Sequence, residues 1–165
     1  MSERNDNRDN AGVIAPPPLI ALAAVLLGLL LDWFFPAYVL SVLLTVVERL
    51  AIGAMLIAVG ISLIVAANVA FRARGTPPEP WKPVATLVTD GIFGRMRNPM
   101  YVGGILFLAG LSIALASSWM LVMTILSAFV LHFGVVKREE RYLTAKFGEP
   151  YRRYMASVPR YGWPG

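Results

Sequence analysis

Residues 95–104, Arg-Met-Arg-Asn-Pro-Met-Tyr-Val-Gly-Gly, place charged, amide and phenol side chains where a basic loop becomes a long apolar segment. Asn98 followed by Pro99 is a typical helix start. The free N–H groups of a helix start, beside two arginines, favour an anionic group of a ligand. A purely structural interpretation is also open: the arginines would then set membrane topology, and Tyr101 would lie at the membrane interface.

A second set of ionisable residues lies near the end of the last apolar segment. His132 is inside that segment and Glu139 follows seven residues later, so two helical turns would put both side chains on one face. Polar residues within a span usually face the bundle interior and are often functional. The alternatives are a solvated, salt-bridged helix end for Glu139 and Glu140, and a hydrogen bond from His132 to a backbone carbonyl.

The composition indicates a membrane protein. Of the 165 residues, 57% are hydrophobic and 15% charged, and the apolar residues come in long blocks. The net charge is +5, but the basic residues flank these blocks, so they indicate a membrane surface and no nucleic-acid partner. The absence of cysteine excludes disulfides and thiolate chemistry, and a single histidine excludes a histidine-cluster metal site, so we expect no metal.

Four apolar segments predict an all-α polytopic membrane protein with about four transmembrane helices in two hairpins, a cytoplasmic loop and a C-terminal helix. The segments cover residues 19–35, 50–70, 101–116 and 119–136. Residues 37–49 fit either a short interfacial helix or an extension of the second span. Gly53, Gly60 and Ala67 recur every seven residues, which favours close helix contact, although such residues are also common in membranes.

We therefore expect one membrane domain over residues 1–165. Its parts are a disordered tail at 1–13, a first hairpin at 14–71, a cytoplasmic loop at 72–98, a second hairpin at 99–136, and a cytoplasmic helix and tail at 137–165. Lysine and arginine are concentrated in the loop and after residue 136, with Arg49 on the opposite side. The positive-inside rule then predicts a cytoplasmic loop and cytoplasmic termini. We expect the membrane to be a bacterial inner membrane.

Two stretches outside the spans have recognisable patterns. Residues 84–91 form an extended apolar stretch that ends in an Asp-Gly turn signal. The C-terminal helix carries aromatic residues that we expect to dock it on the membrane or on the second hairpin. These are Tyr142, Phe147, Tyr151 and Tyr154.

Two motifs resemble signatures of the isoprenylcysteine carboxyl methyltransferase family. Residues 87–93, Leu-Val-Thr-Asp-Gly-Ile-Phe, and 97–103, Arg-Asn-Pro-Met-Tyr-Val-Gly, are similar to its LVTSGxY and RHPxYxG patterns. Residues 139–159, which begin Glu-Glu-Arg-Tyr-Leu, resemble its EExxLxxxFGxxYxxYxxxVP pattern. The motifs occur in the family's order, and the resemblance covers about residues 84–160.

The resemblance implies a membrane-integral methyltransferase that uses S-adenosylmethionine and is related to phospholipid methyltransferases. The residues that would bind this cofactor are Ala85, Thr86, Leu87, Val88, Phe93, Asn98, Pro99, Met100, Tyr101 and Glu139. Asn98 and Phe93 stand where the family has histidine and tyrosine, and Val135 stands where eukaryotic members have a substrate-binding arginine. His132 and Arg138 are therefore the substrate-side candidates.

Methyl transfer from a sulfonium is an in-line displacement that requires alignment and exclusion of water, so no catalytic base is assigned. The expected acceptor is a lipophilic carboxylate, thiol or lipid amine that enters from the bilayer. Oligomeric state is not predicted. Two alternatives are a membrane reductase with a nicotinamide cofactor and a non-catalytic scaffold of the same fold. Binding of S-adenosylmethionine or of NADPH distinguishes the three.

Overall fold

The structure is a computed structural model that describes residues 10–162, and within this range it contains helices and turns without strands. The helices are α1 (Pro17–Phe34), α2 (Val39–Leu43), α3 (Val46–Ala73), α4 (Pro99–Ala114), α5 (Ser118–Leu131), α6 (Lys137–Phe147) and α7 (Glu149–Ser157). A 3₁₀ turn at Gly91–Gly94 precedes α4, and a π-helical turn at His132–Val136 joins α5 to α6. The predicted all-α architecture is confirmed.

Several of these helices are suited to cross a membrane. Pro17–Phe34, Val46–Ala73 and the continuous helix Ser118–Phe147 are each long and apolar enough to do so. Helix α4 is apolar but has 16 residues, which is about 24 Å at the rise of an α-helix. The polytopic membrane prediction is confirmed, and the C-terminal helix α6 is a direct continuation of the last span.

Helices α3 and α4 pack closely because glycines face each other along their contact. A Cβ atom added to Gly60 would lie 2.6 Å from the carbonyl oxygen of Gly103, and one added to Gly53 would lie 2.8 Å from that of Gly110. Neither position has room for a larger residue. The small-residue stripe that the sequence shows on α3 is therefore a helix contact surface.

Helix α1 packs mainly on α5, where Gly28 lies against the backbone of Met120. The expected first hairpin, residues 14–71, therefore consists of two helices that each pack mainly on the second hairpin. Hydrophobic length predicts a span but does not specify its neighbour. Here the neighbours are set by where glycines allow backbones to approach.

Residues 37–49 combine both of the expected arrangements. The short helix α2 comes first, and α3 then begins at Val46, four residues before the predicted start of the second span. A capping box starts α3: Thr45 Oγ1 accepts from Glu48 N at 3.3 Å, and Glu48 Oε2 accepts from Thr45 N at 2.8 Å. The polar pair at this boundary thus ends a loop and begins a helix.

Residues 1–9 of the expected disordered tail at 1–13 lie outside the described residues. Beyond residue 9, Ala11 N donates to Pro80 O at 3.4 Å and Ile14 N donates to Gly134 O at 3.2 Å. These bonds hold the N-terminal segment against the 72–98 loop and the π-helical turn.

Candidate functional site

The 3₁₀ turn sets the path of the chain into α4. Gly91 adopts φ +59°, directly after Asp90, and Phe93 N donates to Asp90 O at 3.0 Å. The Phe93 ring is buried and lies 4.8 Å from the Phe71 ring between centroids. The Asp-Gly turn signal therefore marks a real turn. The stretch at 84–90 that precedes it forms no helix or strand.

Helix α4 begins as the Asn-Pro pair predicts, but Asn98 does not cap it with its side chain. Pro99 occupies the first turn, and the buried Asn98 amide instead donates from Nδ2 to the carbonyl oxygen of Arg160 at 3.1 Å. Asn98 therefore occupies the N-cap position, as the pair predicts, without a capping bond from its side chain. The amide ties the start of α4 to the C-terminal segment.

Glu139 and Tyr101 form a hydrogen-bonded pair between α6 and α4. Tyr101 Oη donates to Glu139 Oε2 at 2.8 Å, and the two residues are 38 positions apart in the chain. A carboxylate held in this way has a fixed orientation and keeps acceptor capacity for a second donor.

Glu140 joins two arginines from different parts of the chain. Its Oε1 accepts from Arg97 Nη1 at 2.8 Å, and Arg160 binds both oxygens, with Nε and Nη2 at 2.8 and 2.7 Å. The side chains of Arg97 and Glu140 are only 10% and 13% exposed. The alternative of a solvated helix end therefore fails for Glu140, because its partners come from the loop and the C-terminal segment.

The π-helical turn separates His132 from Glu139. A π-helical turn contains one residue more than an α-helical turn. Side chains seven positions apart across it therefore do not lie on the same face of the helix. His132 is half-buried and its Nδ1 lies 2.7 Å from Tyr161 Oη, whereas Glu139 is bonded to Tyr101. The predicted common face is wrong for this reason.

Helix α7 packs on the 72–98 loop. Tyr151, Tyr154 and Val158 form a buried cluster with Leu87, and Tyr154 Oη donates to Phe93 O at 2.7 Å. Phe147 joins this cluster. The expectation that the C-terminal aromatics dock on the membrane or the second hairpin is therefore wrong for these residues. They hold the loop and the C-terminal segment together.

Burial and charge keep these C-terminal groups in defined states. Burial and the neighbouring Glu140 carboxylate raise the pKa of Tyr151 to about 12, despite the opposing effect of Arg97. Burial likewise raises the pKa of Tyr154. The hydrogen bond to Glu140 raises the pKa of Arg160. At neutral pH the two phenols are thus uncharged donors, and Arg160 is a cation.

These elements surround a cavity of about 100 Å³. We call it the polar cavity, or charged cavity, because four charged side chains line it: Glu79, Arg97, Glu139 and Glu140. Most of the predicted cofactor residues line it. They are Leu87, Val88, Phe93, Asn98, Pro99, Met100, Tyr101 and Glu139. Ala85 and Thr86 are exposed and do not line it, because the chain turns here and the Thr86 carbonyl accepts from Thr76 Oγ1 at 3.3 Å.

Two apolar cavities adjoin the polar one. A groove of about 580 Å³ runs along α4 and α5, and a cavity of about 310 Å³ lies among α1, α3, α4 and α5 beneath the Pro78–Pro80 stretch. Tyr101 lines all three spaces. Tyr101 therefore lies where the polar cavity meets the two apolar cavities.

The two substrate-side candidates occupy different places. His132 lines the 580 Å³ groove together with Tyr161. Arg138 lines none of the three cavities, and its Nη1 donates to Gly12 O at 2.8 Å. Arg138 therefore differs from the expectation: it anchors the N-terminal segment. Val135 is completely buried in the π-helical turn.

The sequence interpretation missed Arg160 and Tyr161. Both follow Val158-Pro159 in the C-terminal tail, and the Pro159 carbonyl accepts from Arg97 N at 3.0 Å. The available signal was a lone arginine directly after a motif that resembles the family's C-terminal signature. It also missed Glu79, which lies in the proline-rich part of the loop and lines the polar cavity.

The fold and the site define a polytopic helical membrane protein with a charged cavity at one end of its bundle. The phospholipid methyltransferase family model matches residues 48–150, and the chain belongs to that family. A protein-S-isoprenylcysteine O-methyltransferase of Schizosaccharomyces pombe is 38% identical over 76 residues, which is 44% of this chain and 31% of that relative. No solved structure matches the chain.

Proposed function

We propose that the protein is an integral membrane methyltransferase that transfers a methyl group from S-adenosylmethionine to a lipophilic acceptor. The observation that carries the proposal is the position of Tyr101, which lines both the charged cavity and the two apolar cavities. A water-soluble donor and a membrane-dissolved acceptor can meet only where such spaces touch. The family supports methyl transfer as the chemistry.

The residues of the polar cavity fit S-adenosylmethionine. Val88 and Phe93 offer apolar surface for an adenine ring, while Arg97 and Glu139 offer charges to the amino-acid and sulfonium part. The cavity of about 100 Å³ is smaller than typical ligand pockets of about 300 Å³ and above. It shares Pro78–Pro80, Met100 and Tyr101 with the adjoining 310 Å³ cavity, and the two spaces together provide the volume.

The chain's own residues position and shield the reactants. S-adenosylmethionine, when bound, supplies an electrophilic methyl group on a cationic sulfur. Glu139, oriented by Tyr101, would offer its carboxyl group to that cation, and the apolar lining of the groove would exclude water from the acceptor side. Alignment and desolvation then account for the rate, and no general base is assigned.

The acceptor enters, in this proposal, along the 580 Å³ groove between α4 and α5. The groove is lined mostly by apolar side chains, and the hydrogen-bonded His132–Tyr161 pair is among its polar lining residues. The name of the yeast relative favours a carboxylate acceptor. A thiol or a lipid amine also fits a groove of this kind, and the product's chemistry distinguishes them.

We also propose that residues 1–165 act as one membrane domain with the 72–98 loop and both termini on the cytoplasmic side. The charged cavity lies at the end of the bundle that carries most of the lysine and arginine, which is the arrangement the positive-inside rule describes. Cysteine-accessibility labelling of single-cysteine variants in intact membranes tests this orientation.

Equilibrium binding to detergent-purified protein tests the function. We expect S-adenosylmethionine and S-adenosylhomocysteine to bind and NADPH not to bind. Incubation with methyl-labelled donor and a total lipid extract should then label a lipid. A base-labile label indicates an ester, and a stable one indicates a thioether or an amine. Binding of NADPH alone would instead support a reductase, and binding of neither cofactor would support a scaffold.

A further inference from the structure

Two residues that line the polar cavity, Arg97 and Glu79, each have a buried polar atom without a hydrogen-bond partner. These atoms are Nε of Arg97 and Oε2 of Glu79. Within residues 10–162 the remaining buried side-chain atom of this kind is Nε of Arg49, at the opposite end of α3. An unpaired buried polar atom is costly, so a pair of them in one cavity indicates where a ligand supplies the missing partners.

Each of the two side chains is anchored on its other side. Glu79 Oε1 accepts from Lys82 Nζ at 2.7 Å, and Arg97 Nη1 donates to Glu140 Oε1 at 2.8 Å. These bonds orient the Glu79 carboxylate and the Arg97 guanidinium. They leave Oε2 of Glu79 as an acceptor, and Nε of Arg97 as a donor, without a partner. Pro78 and Pro80 flank Glu79 and restrict its backbone.

The two unpaired groups are complementary to a zwitterion. Glu79 Oε2 is an anionic acceptor suited to an ammonium group, and Arg97 Nε is a cationic donor suited to a carboxylate. Glu79 and Arg97 line the same cavity yet are not bonded to each other. An α-amino acid group carries both partners on neighbouring atoms.

We propose that Glu79 and Arg97 bind the α-amino and α-carboxylate groups of the methionine part of S-adenosylmethionine. This inference rests on the proposed function and deepens it. It assigns a recognition role to the proline-rich segment 77–80, which lies outside both sequence motifs. Glu139 then remains beside Tyr101 for the sulfonium end.

A panel of ligands tests the assignment by isothermal titration of the full chain in detergent. S-adenosylhomocysteine has both groups, decarboxylated S-adenosylmethionine has only the amine, and 5′-methylthioadenosine has neither. We expect Glu79→Gln to weaken the first two ligands about tenfold or more, since hydrogen bonds between charged groups have roughly this effect. Binding of 5′-methylthioadenosine should not change.

Arg97→Lys should show the complementary pattern. It keeps a cation near Glu140 but removes Nε, so S-adenosylhomocysteine should weaken about tenfold while decarboxylated S-adenosylmethionine keeps its affinity. Glu149→Gln is the matched control, because it removes an exposed carboxylate that does not line the cavity. Its affinities should match those of the wild type, and melting temperatures of all variants report folding.

The outcomes distinguish this inference from the function on which it rests. If the wild-type protein binds no S-adenosylhomocysteine, the proposed function fails. The assignment of Glu79 is overturned if the wild type binds S-adenosylhomocysteine and Glu79→Gln binds it with equal affinity. It is also overturned if Glu79→Gln loses affinity for all three ligands to the same extent. Glu79→Asp, which keeps the charge but withdraws it by one methylene, should give an intermediate loss, and wild-type affinity in both variants also contradicts the inference.

Discussion

The two ends of the helix bundle use polar side chains in different ways. At the end where α1 finishes and α4 turns into α5, polar groups complete helix termini. Ser117 Oγ accepts from Met120 N at 3.1 Å and donates to Asp32, while Trp119 Nε1 donates to the Phe35 carbonyl at 2.6 Å. The first bond caps α5, and the other two join the end of α1 to the start of α5.

At the charged end, by contrast, side chains pair with one another around a space. Glu140 joins Arg97 and Arg160, and Tyr101 joins Glu139, across three separate stretches of chain. Buried ion pairs contribute little net stability, because desolvation offsets most of the attraction. The difference supports the proposal that one end stabilises the fold and the other binds a ligand.

Glu140→Gln should have the largest effect on this comparison. It leaves Arg97 and Arg160 without their counter-charge at the buried end, and breaking such a pair costs about 3 kcal/mol. We expect a lower melting temperature and loss of S-adenosylhomocysteine binding, measured by thermal unfolding and titration. Glu149→Gln, at an exposed carboxylate of α7, is the matched control and should change neither quantity. Wild-type stability in Glu140→Gln would show that the arginines find other partners.

Gly60→Ala should affect stability alone. The new Cβ would lie 2.6 Å from the Gly103 carbonyl oxygen, and overpacking of this kind costs about 2 kcal/mol. Gly104→Ala is the control on the facing helix, because no atom lies within 4 Å of its Cβ position. Thermal unfolding should separate the two variants. Equal melting temperatures would mean that α3 and α4 do not pack as described.

Tyr101→Phe should mainly lower the rate of methyl transfer. It removes the hydroxyl that donates to Glu139 and leaves that carboxylate without its partner. Losing one such bond corresponds to about a tenfold lower rate in the labelled-donor assay. Tyr38→Phe, at a side chain that is 69% exposed on the opposite end, is the control. An unchanged rate in Tyr101→Phe would contradict the proposal that this hydroxyl orients Glu139 for methyl transfer.

Ser117→Ala should have the smallest effect. It removes an N-cap acceptor and the bond to Asp32, which costs about 1 kcal/mol of stability. Ligand affinity should equal that of the wild type, because the site is at the other end of α4 and α5. A fall in affinity comparable to that in Glu140→Gln would contradict the division between the two ends.

Much of the fold could be predicted from the sequence, because long apolar blocks require spanning helices. The glycine spacing on α3 also predicted a close helix contact, and the approach of Gly60 to Gly103 confirms it. The pairing of α1 with α5 could not be predicted, since neither the approach of Gly28 to Met120 nor the bond from Ser117 to Asp32 follows from a spacing in the sequence. The continuation of α5 into α6 was expected, because the two-turn spacing from His132 to Glu139 assumes one helix across Lys137.

The lining residues of the site could be predicted where they lie in a sequence motif. The side-chain pairings that depend on a turn in the backbone could not. The motif that contains Pro99 and Tyr101 indicated cavity-lining residues directly. The pairing of Glu140 with Arg160 depends on the reversal at Gly148, which adopts φ +58° between α6 and α7. The faces of His132 and Glu139 depend on a π-helical turn, and no residue pattern in the segment indicated that turn.

Binding of labelled S-adenosylmethionine to the purified protein tests the central claim most directly, namely that the charged end is a cofactor site. The titration compares the wild type with Glu139→Gln and Ser117→Ala, and uses S-adenosylhomocysteine and NADPH as competitors. We predict saturable binding that S-adenosylhomocysteine displaces and NADPH does not, weakened in Glu139→Gln and unchanged in Ser117→Ala. No saturable binding to the folded wild type, or equal affinity in all three proteins, would contradict the account.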